Sequence, residues 1–338
     1  MLPLPPFELH RPSTVAEAVQ LWSTLDEARY IAGGTDLLPN LKHHLDAPRH
    51  LVALGGLEEL RQLSPTPSGG LRIGAAVPLH TVATSTAVQA VLPALAQAAE
   101  LVAGPQHRRM GTLGGNVLLD TRCLYYNQSR PWRQALGGCL KADGSWCHVI
   151  GSAKGCVAAQ SSDTVPILVA ADAILHLQVP GEEATPRQLP IRALYGTDGR
   201  RDRMHALPPG ALLCAVEVPA PSDGQRSVYR KVRHRGAVDF PQLGVAAIAH
   251  FDAAQRCTGA AVVLGALLPR PTLLRGTEDL VGTSLDDATI AAFAVRAQKQ
   301  GRPQTQVHGA PIWRRAMIEV EVRRALRDLR PAERGPTA

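Results

Sequence analysis

The stretch Gly33-Gly34-Thr35-Asp36-Leu37 directly follows residues 29–32, whose pattern predicts a short strand. Glycines allow the backbone to approach an anion closely, and successive N–H groups can point into one concavity. Thr35 adds a hydroxyl donor. The spacing is neither GxGxxG nor a loop with a following Lys-Ser/Thr, so a tight turn between two elements remains an open alternative.

A second loop of the same kind lies about 80 residues later, at Gly111-Thr112-Leu113-Gly114-Gly115-Asn116. Each loop has a Gly-Gly pair, a threonine and a polar side chain close by. Two such loops could hold the two phosphates of a dinucleotide. The pair of loops therefore predicts nucleotide binding more strongly than either loop alone.

Short strands and helices alternate around these loops. Thr14-Val15-Ala16-Glu17 is a capping-box pattern that begins a helix, and residues 51–54 and 71–76 have the pattern of strands. A further helix is predicted between Pro93 and Gly104, with proline near its start and glycine just past its end. This alternation favours mixed α/β structure.

The C-terminal third has a different order, after a linker at residues 219–224. Strands are predicted first and helices second, at 227–235, 244–251, 259–264, 286–300 and 311–330. That order favours an α+β domain. Arginines of the last helix alternate with acids and apolar residues, which predicts a solvated helix face: Arg314, Arg315, Arg323, Arg324, Arg327 and Arg330.

Length and composition limit the classes of protein. The chain has 338 residues, 45% of them hydrophobic and 19% charged, which favours two folded domains and excludes a disordered chain. No apolar run is long enough to span a bilayer, so we expect a cytoplasmic protein without a membrane partner. The net charge of +7 comes without interleaved aromatic residues, so we expect no nucleic-acid partner.

Four of the six cysteines, Cys123, Cys139, Cys147 and Cys156, lie in one polar segment with the spacing C-x15-C-x7-C-x8-C. Such a group is more typical of a metal site than of disulfides in a chain without an export pattern. Four thiolates suit tetrahedral zinc or an iron–sulfur cluster. Zinc ribbons usually bring C-x2-C pairs, which are absent from this segment, so the spacing favours a cluster. Structural zinc and unligated thiols are the alternatives.

Taken in order, the two glycine loops, Ser162-Asp163 and Ala171-Asp172-Ala173 resemble the FAD-binding subunits of the molybdenum hydroxylases, which include xanthine and carbon monoxide dehydrogenases. The resemblance continues through Tyr229-Arg230-Lys231-Val232-Arg233 and Asp239-Phe240-Pro241. It implies an α+β protein with the two-subdomain FAD-binding fold of the vanillyl-alcohol oxidase or PCMH type. A C-terminal domain like that of CO dehydrogenase flavoproteins would follow.

The domain bounds implied are 1–220, with subdomains of about 1–55 and 56–220, and 226–332. The resemblance also implies that the two loops wrap the FAD pyrophosphate and that Lys231 lies near the isoalloxazine. The full set of implied FAD-binding residues is Tyr30, Ile31, Ala32, Gly33, Gly34, Thr35, Asp36, Leu37, Val102, Thr112, Gly114, Gly115, Asn116, Asp163, Leu213 and Lys231. No residue of this chain is expected to transform substrate.

About forty residues, roughly 120–160, form an insertion relative to most of that family. The segments 120–129, 139–141 and 147–149 resemble the β subunit of 4-hydroxybenzoyl-CoA reductase, whose inserted loop carries a [4Fe-4S] cluster. The resemblance implies that all four cysteines are its ligands. Implied partners are a large molybdopterin-containing subunit, a small subunit with two [2Fe-2S] clusters and ferredoxin as donor, within a hetero-oligomer.

Two other readings stay open. The chain could be an ordinary hydroxylase flavin subunit that passes electrons to NAD or oxygen. It could also be a zinc-stapled binding module without flavin.

Overall fold

The computed structural model describes residues 2–182 and 186–330. Its first part is a small parallel sheet of three strands in the order β1-β3-β2. The elements are β1 (Glu8–His10), α1 (Val15–Thr24), β2 (Ala28–Ile31), α2 (Leu37–Lys42) and β3 (His50–Ala53). Helix α1 begins as predicted, because the Thr14 hydroxyl accepts from the backbone N–H of Glu17 at 3.1 Å.

The second part contains a five-stranded antiparallel sheet in the order β4-β5-β8-β6-β7, with helices packed against it. Its core is continuous and largely aliphatic. The strands are β4 (Leu63–Pro65), β5 (Leu71–Gly74), β6 (Ile174–Gln178), β7 (Arg187–Pro190) and β8 (Leu212–Val218). The helices are α3 (Leu79–Thr84), α4 (Thr86–Val91), α5 (Pro93–Glu100), α6 (Pro105–Met110), α7 (Leu113–Val117), α8 (Arg130–Ala135), α9 (Thr164–Ala170) and α10 (Ile191–Leu194).

The C-terminal part is a four-stranded antiparallel sheet, β12-β11-β10-β9, covered by two long helices. Its elements are β9 (Arg226–Val232), β10 (Leu243–Phe251), β11 (Cys257–Gly265), β12 (Thr272–Leu273), α11 (Asp287–Gln300) and α12 (Pro311–Asp328). The predicted α+β class is confirmed. Residues 331–332, at the end of the predicted second domain, lie outside the described residues.

Two local predictions were wrong. Gly104 does not follow a helix directly, since α5 ends at Glu100 and Gly104 precedes the separate helix α6. Arg314 does not belong to a solvated face, because it is 0% exposed. Its guanidinium donates to the carbonyls of Gln242, Gln304 and Ala266 at 2.9, 3.1 and 2.7 Å. This buried charge ties α12 to the loops beside the sheet.

Candidate functional site: two glycine loops and a cysteine pocket

The two glycine loops contact each other. A Cβ atom on Gly33 would lie 1.7 Å from the carbonyl oxygen of Met110, directly before the second loop. A Cβ on Gly111 would lie 3.2 Å from Oγ1 of Thr35. Only glycine permits this approach at position 33. The fold therefore joins two segments about 80 residues apart into one glycine-rich surface.

The second loop is held by its own polar groups. The Thr112 hydroxyl accepts from the backbone N–H of Gly115 at 3.1 Å, and the N–H of Gly114 donates to the Ala75 carbonyl at 2.8 Å. The Asn116 Oδ1 accepts from the hydroxyls of Ser162 and Thr164 at 2.6 and 2.7 Å. The loop is thus fixed to the start of helix α9, where Asp163 lies.

Asp163 and Lys231 form a buried ion pair. The Lys231 ammonium donates to Oδ2 of Asp163 at 2.8 Å, and the two side chains are 1% and 5% exposed. The Tyr229 hydroxyl donates to Oδ1 at 2.7 Å, and Lys231 also donates to the Leu101 carbonyl at 2.8 Å. Burial raises the pKa of the Asp163 carboxyl, and Lys231 opposes that effect. Two of the predicted site residues are therefore direct partners.

Other predicted FAD-binding residues have contacts within the fold. Tyr30 stacks near Trp22 and donates its hydroxyl to the Gly210 carbonyl at 2.9 Å. Leu213 is 2% exposed in the core of the second part. Val102 accepts at its carbonyl from Arg108 at 2.9 Å. Ile31 ends β2 and Leu37 begins α2, on either side of the first loop.

The four clustered cysteines surround one cavity. Cys123, Cys139, Cys147 and Cys156 all line one pocket, together with Tyr125, Tyr126, Leu140, Lys141, His148, Val149, Val157 and Ala158. All six cysteines of the chain are free thiols. Residues separated by up to 33 positions in sequence thus converge at one place, although the segment has a single short helix, α8.

The sulfur spacing distinguishes between metals. Zinc–thiolate bonds of about 2.3 Å in a tetrahedron put the sulfurs about 3.8 Å apart. Among the described residues, the only metal-competent group with ligand atoms all within 4.8 Å is Glu8, His10 and His50, so no three of the pocket cysteines are that close. This spread is wider than the one that four thiolates bound to a single tetrahedral zinc would have.

Two of the pocket thiols are weakened as acids by burial. Burial raises the pKa of the Cys123 thiol, and it raises that of Cys156 to about 11. Backbone N–H groups of Ile150 and Ala158 point at the sulfurs of Cys147 and Cys156, each at 3.4 Å. Metal binding would deprotonate the thiols, and such N–H contacts stabilise thiolate ligands.

The cysteine-bearing segment is anchored to the first glycine loop. Arg122, next to Cys123, forms an ion pair with Asp36 and lies 3.9 Å from the ring centroid of Phe240. Arg133 is buried and donates to the carbonyls of His43 and His44 at 3.3 and 2.8 Å. The cysteine pocket and the glycine loops are therefore parts of one connected site.

Sequence reasoning missed Arg122, Arg133, Lys141 and Tyr229. Each of these polar side chains is buried or half-buried through contacts with residues elsewhere in the sequence. The sequence pattern around each residue does not reveal such contacts. The available signal was proximity, since Arg122 adjoins a predicted ligand and Tyr229 lies two residues from Lys231. No helix among residues 2–182 and 186–330 is both long and apolar enough to cross a bilayer.

Comparison with known proteins gives two family matches. Residues 5–221 match the FAD binding domain in molybdopterin dehydrogenase, and residues 227–329 match the CO dehydrogenase flavoprotein C-terminal domain. The chain is 34% identical over 271 residues to the aldehyde oxidoreductase FAD-binding subunit PaoB of Escherichia coli (strain K12), covering 78% of this chain and 82% of that protein.

Two further similarities extend over almost the whole chain. The carbon monoxide dehydrogenase medium chain of Afipia carboxidovorans is 27% identical over 322 residues, 95% of each chain. The solved structure of Cu,Mo-CO dehydrogenase in its cyanide-inactivated form has a TM-score of 0.78 at 25% identity, covering 96% of this chain and 98% of that one.

Proposed function

Because the chain belongs to the FAD-binding subunits of the molybdenum hydroxylase family, we propose that it carries both FAD and a [4Fe-4S] cluster and serves as the electron-transfer subunit of a heterotrimeric oxidoreductase. The observation that carries the cluster is the convergence of four cysteines on one pocket, with no three of their sulfurs within 4.8 Å of one another. Its partners would be a large molybdopterin-containing subunit and a small subunit with two [2Fe-2S] clusters.

FAD exchanges one or two electrons and an iron–sulfur cluster exchanges one, so a chain with both can connect one-electron and two-electron carriers. The residues of this chain would hold and orient the two groups. The glycine loops and Asn116 would hold the FAD pyrophosphate, and Asp163 would keep the Lys231 ammonium in place beside the flavin. Cys123, Cys139, Cys147 and Cys156 would be the cluster ligands.

The connection between the two sites supports this assignment. Arg122 bonds to Asp36 of the first glycine loop and is covalently adjacent to the ligand Cys123. The guanidinium thus fixes one wall of the cysteine pocket relative to the flavin loop. Electron transfer between the flavin and the cluster would require that the two groups be held at a short, fixed distance.

Two reactions are candidates for the complex. The resemblance of the cysteine segment supports reductive dehydroxylation of 4-hydroxybenzoyl-CoA with ferredoxin as donor. The 34% identity to an aldehyde oxidoreductase subunit supports oxidation of an aldehyde, with electrons leaving through this chain. The anaerobically purified complex, assayed with aryl-CoA thioesters plus reduced ferredoxin and with aldehydes plus a dye acceptor, distinguishes the two.

The cofactor assignment is tested by Cys139→Ser, with Cys257→Ser as control. Cys257 is a buried free thiol of the C-terminal sheet, away from the pocket. We expect the Cys139 variant to lose four irons per complex and to keep its FAD, while the control keeps both. Unchanged iron in the Cys139 variant would contradict the ligand assignment, and zinc without flavin in the natural protein would contradict the proposal as a whole.

A further inference from the structure

Lys141 is a fully buried lysine in the wall of the cysteine pocket. Its side chain is 0% exposed, and its ammonium donates to the Asp120 carboxylate and to the carbonyl and hydroxyl oxygens of Thr121. It also lies 4.6 Å from the ring centroid of Tyr126. Burial of an ammonium costs several kcal/mol unless it is paired and hydrogen-bonded, and here all three donors have partners.

The ion pair has a defined direction relative to the cavity. Lys141 is among the residues that line the pocket, whereas Asp120 is not. Asp120 in turn lies 3.5 Å from Arg201, and Arg201 pairs with Asp46 at 2.7 Å. The Asp120 carboxylate is thus shared between Lys141 and a second cation, Arg201. Of the two members of the Lys141–Asp120 pair, the lysine is the one that lines the pocket with the four cysteines.

Among the described residues that line this pocket, the basic side chains are Lys141 and His148, and the imidazole of His148 bonds to the Gly138 carbonyl. A cluster held by four thiolates is anionic and gains one more negative charge on reduction. A nearby cation in a dry environment therefore stabilises the reduced form more than the oxidised form.

We propose that the Lys141 ammonium, held in place by Asp120, raises the reduction potential of the cluster bound by the four cysteines. Lys141 is not a ligand and acts only through its charge. The inference rests on the proposed function. The electron taken up by the cluster comes from the same donor or flavin that the proposed function supplies, and no bond is made or broken by Lys141.

The test is a redox titration of the anaerobic complex, followed by the electron paramagnetic resonance signal of the reduced cluster. We expect Lys141→Met to disfavour reduction at least tenfold at a fixed potential, which is a 59 mV decrease for one electron. Asp120→Asn leaves the ammonium less compensated, so its shift should have the opposite sign. Lys154→Met, an exposed lysine of the same insertion, is the matched control and should not shift.

The two variants together test the inference even if one of them fails to bind the cluster. If Lys141→Met fails to assemble the cluster, the sign of the Asp120→Asn shift decides. A Lys141→Met change below threefold, shifts of equal sign in both variants, or loss of the cluster from both would overturn the inference and leave the pair a structural clamp. A natural complex without any [4Fe-4S] signal would instead overturn the proposed function, so the two failures are distinguishable.

Discussion

Asp163→Asn should be among the most destabilising single substitutions in the chain. The substitution keeps the side-chain volume and one acceptor for the Tyr229 hydroxyl. It removes the negative charge that compensates the Lys231 ammonium, 1% exposed and 2.8 Å away. The Leu101 carbonyl remains as a neutral hydrogen-bond partner for that ammonium.

The magnitude follows from the burial of both partners. Removal of one member of a buried ion pair costs about 3–5 kcal/mol, because the remaining charge is left without compensation. Asp172→Asn is the matched control: its carboxylate pairs with Arg192 at 2.7 Å but is 65% exposed. An exposed pair contributes about 1 kcal/mol or less.

The assay is equilibrium urea unfolding of the flavin-free chain, repeated with excess FAD to separate folding from ligand binding. The double variant Asp163→Asn with Lys231→Met should be less destabilised than the sum of the single variants, since it removes both charges. A loss below 1 kcal/mol for Asp163→Asn, or strictly additive losses in the double variant, would refute the argument.

Three other substitutions follow from the same structure. Gly33→Ala should abolish FAD retention, because the added Cβ would lie 1.7 Å from a backbone carbonyl oxygen. The control Gly55→Ala meets no atom within 4 Å and should keep its flavin. Equal flavin content in the two variants would contradict this prediction. Arg314→Ala should cost about 3 kcal/mol or more in unfolding free energy, since two buried carbonyls and one partly buried carbonyl lose their donor. The exposed Arg315→Ala should change it by less than about 0.5 kcal/mol. Burial lowers the pKa of His205 from 6.5 to about 4. As the pH decreases, the unfolded chain therefore takes up this proton before the folded chain does. The free energy of unfolding should fall between pH 6.5 and about 4, by at most about 3 kcal/mol. His205→Gln should lack this component, and parallel pH profiles of the two proteins would contradict it.

The regular elements could be predicted because they repeat with the period of a helix or strand. Strands at 29–32, 51–54 and 71–76 were placed within two residues of β2, β3 and β5, and the capping box at Thr14 begins α1. The family expected from the ordered motifs is confirmed by the two family matches.

The failures have a common cause. Arg314 was expected in water because its neighbours are charged, but its guanidinium bonds to the distant carbonyls of Gln242 and Ala266 and to that of Gln304. Likewise, the spacing of the cysteines favoured a cluster over zinc, yet only the folded chain places Lys141 and Arg122 around them. Contacts between residues far apart in sequence are determined by topology, which local periodicity does not encode.

Native mass spectrometry of this subunit, released anaerobically from its purified complex, tests the central claim most directly. The account predicts a mass increment equal to one FAD plus four irons and four sulfides, with the iron–sulfur part lost in the Cys156→Ser variant. A subunit whose only metal is a single zinc, or one whose four cysteines remain unligated thiols, would contradict it.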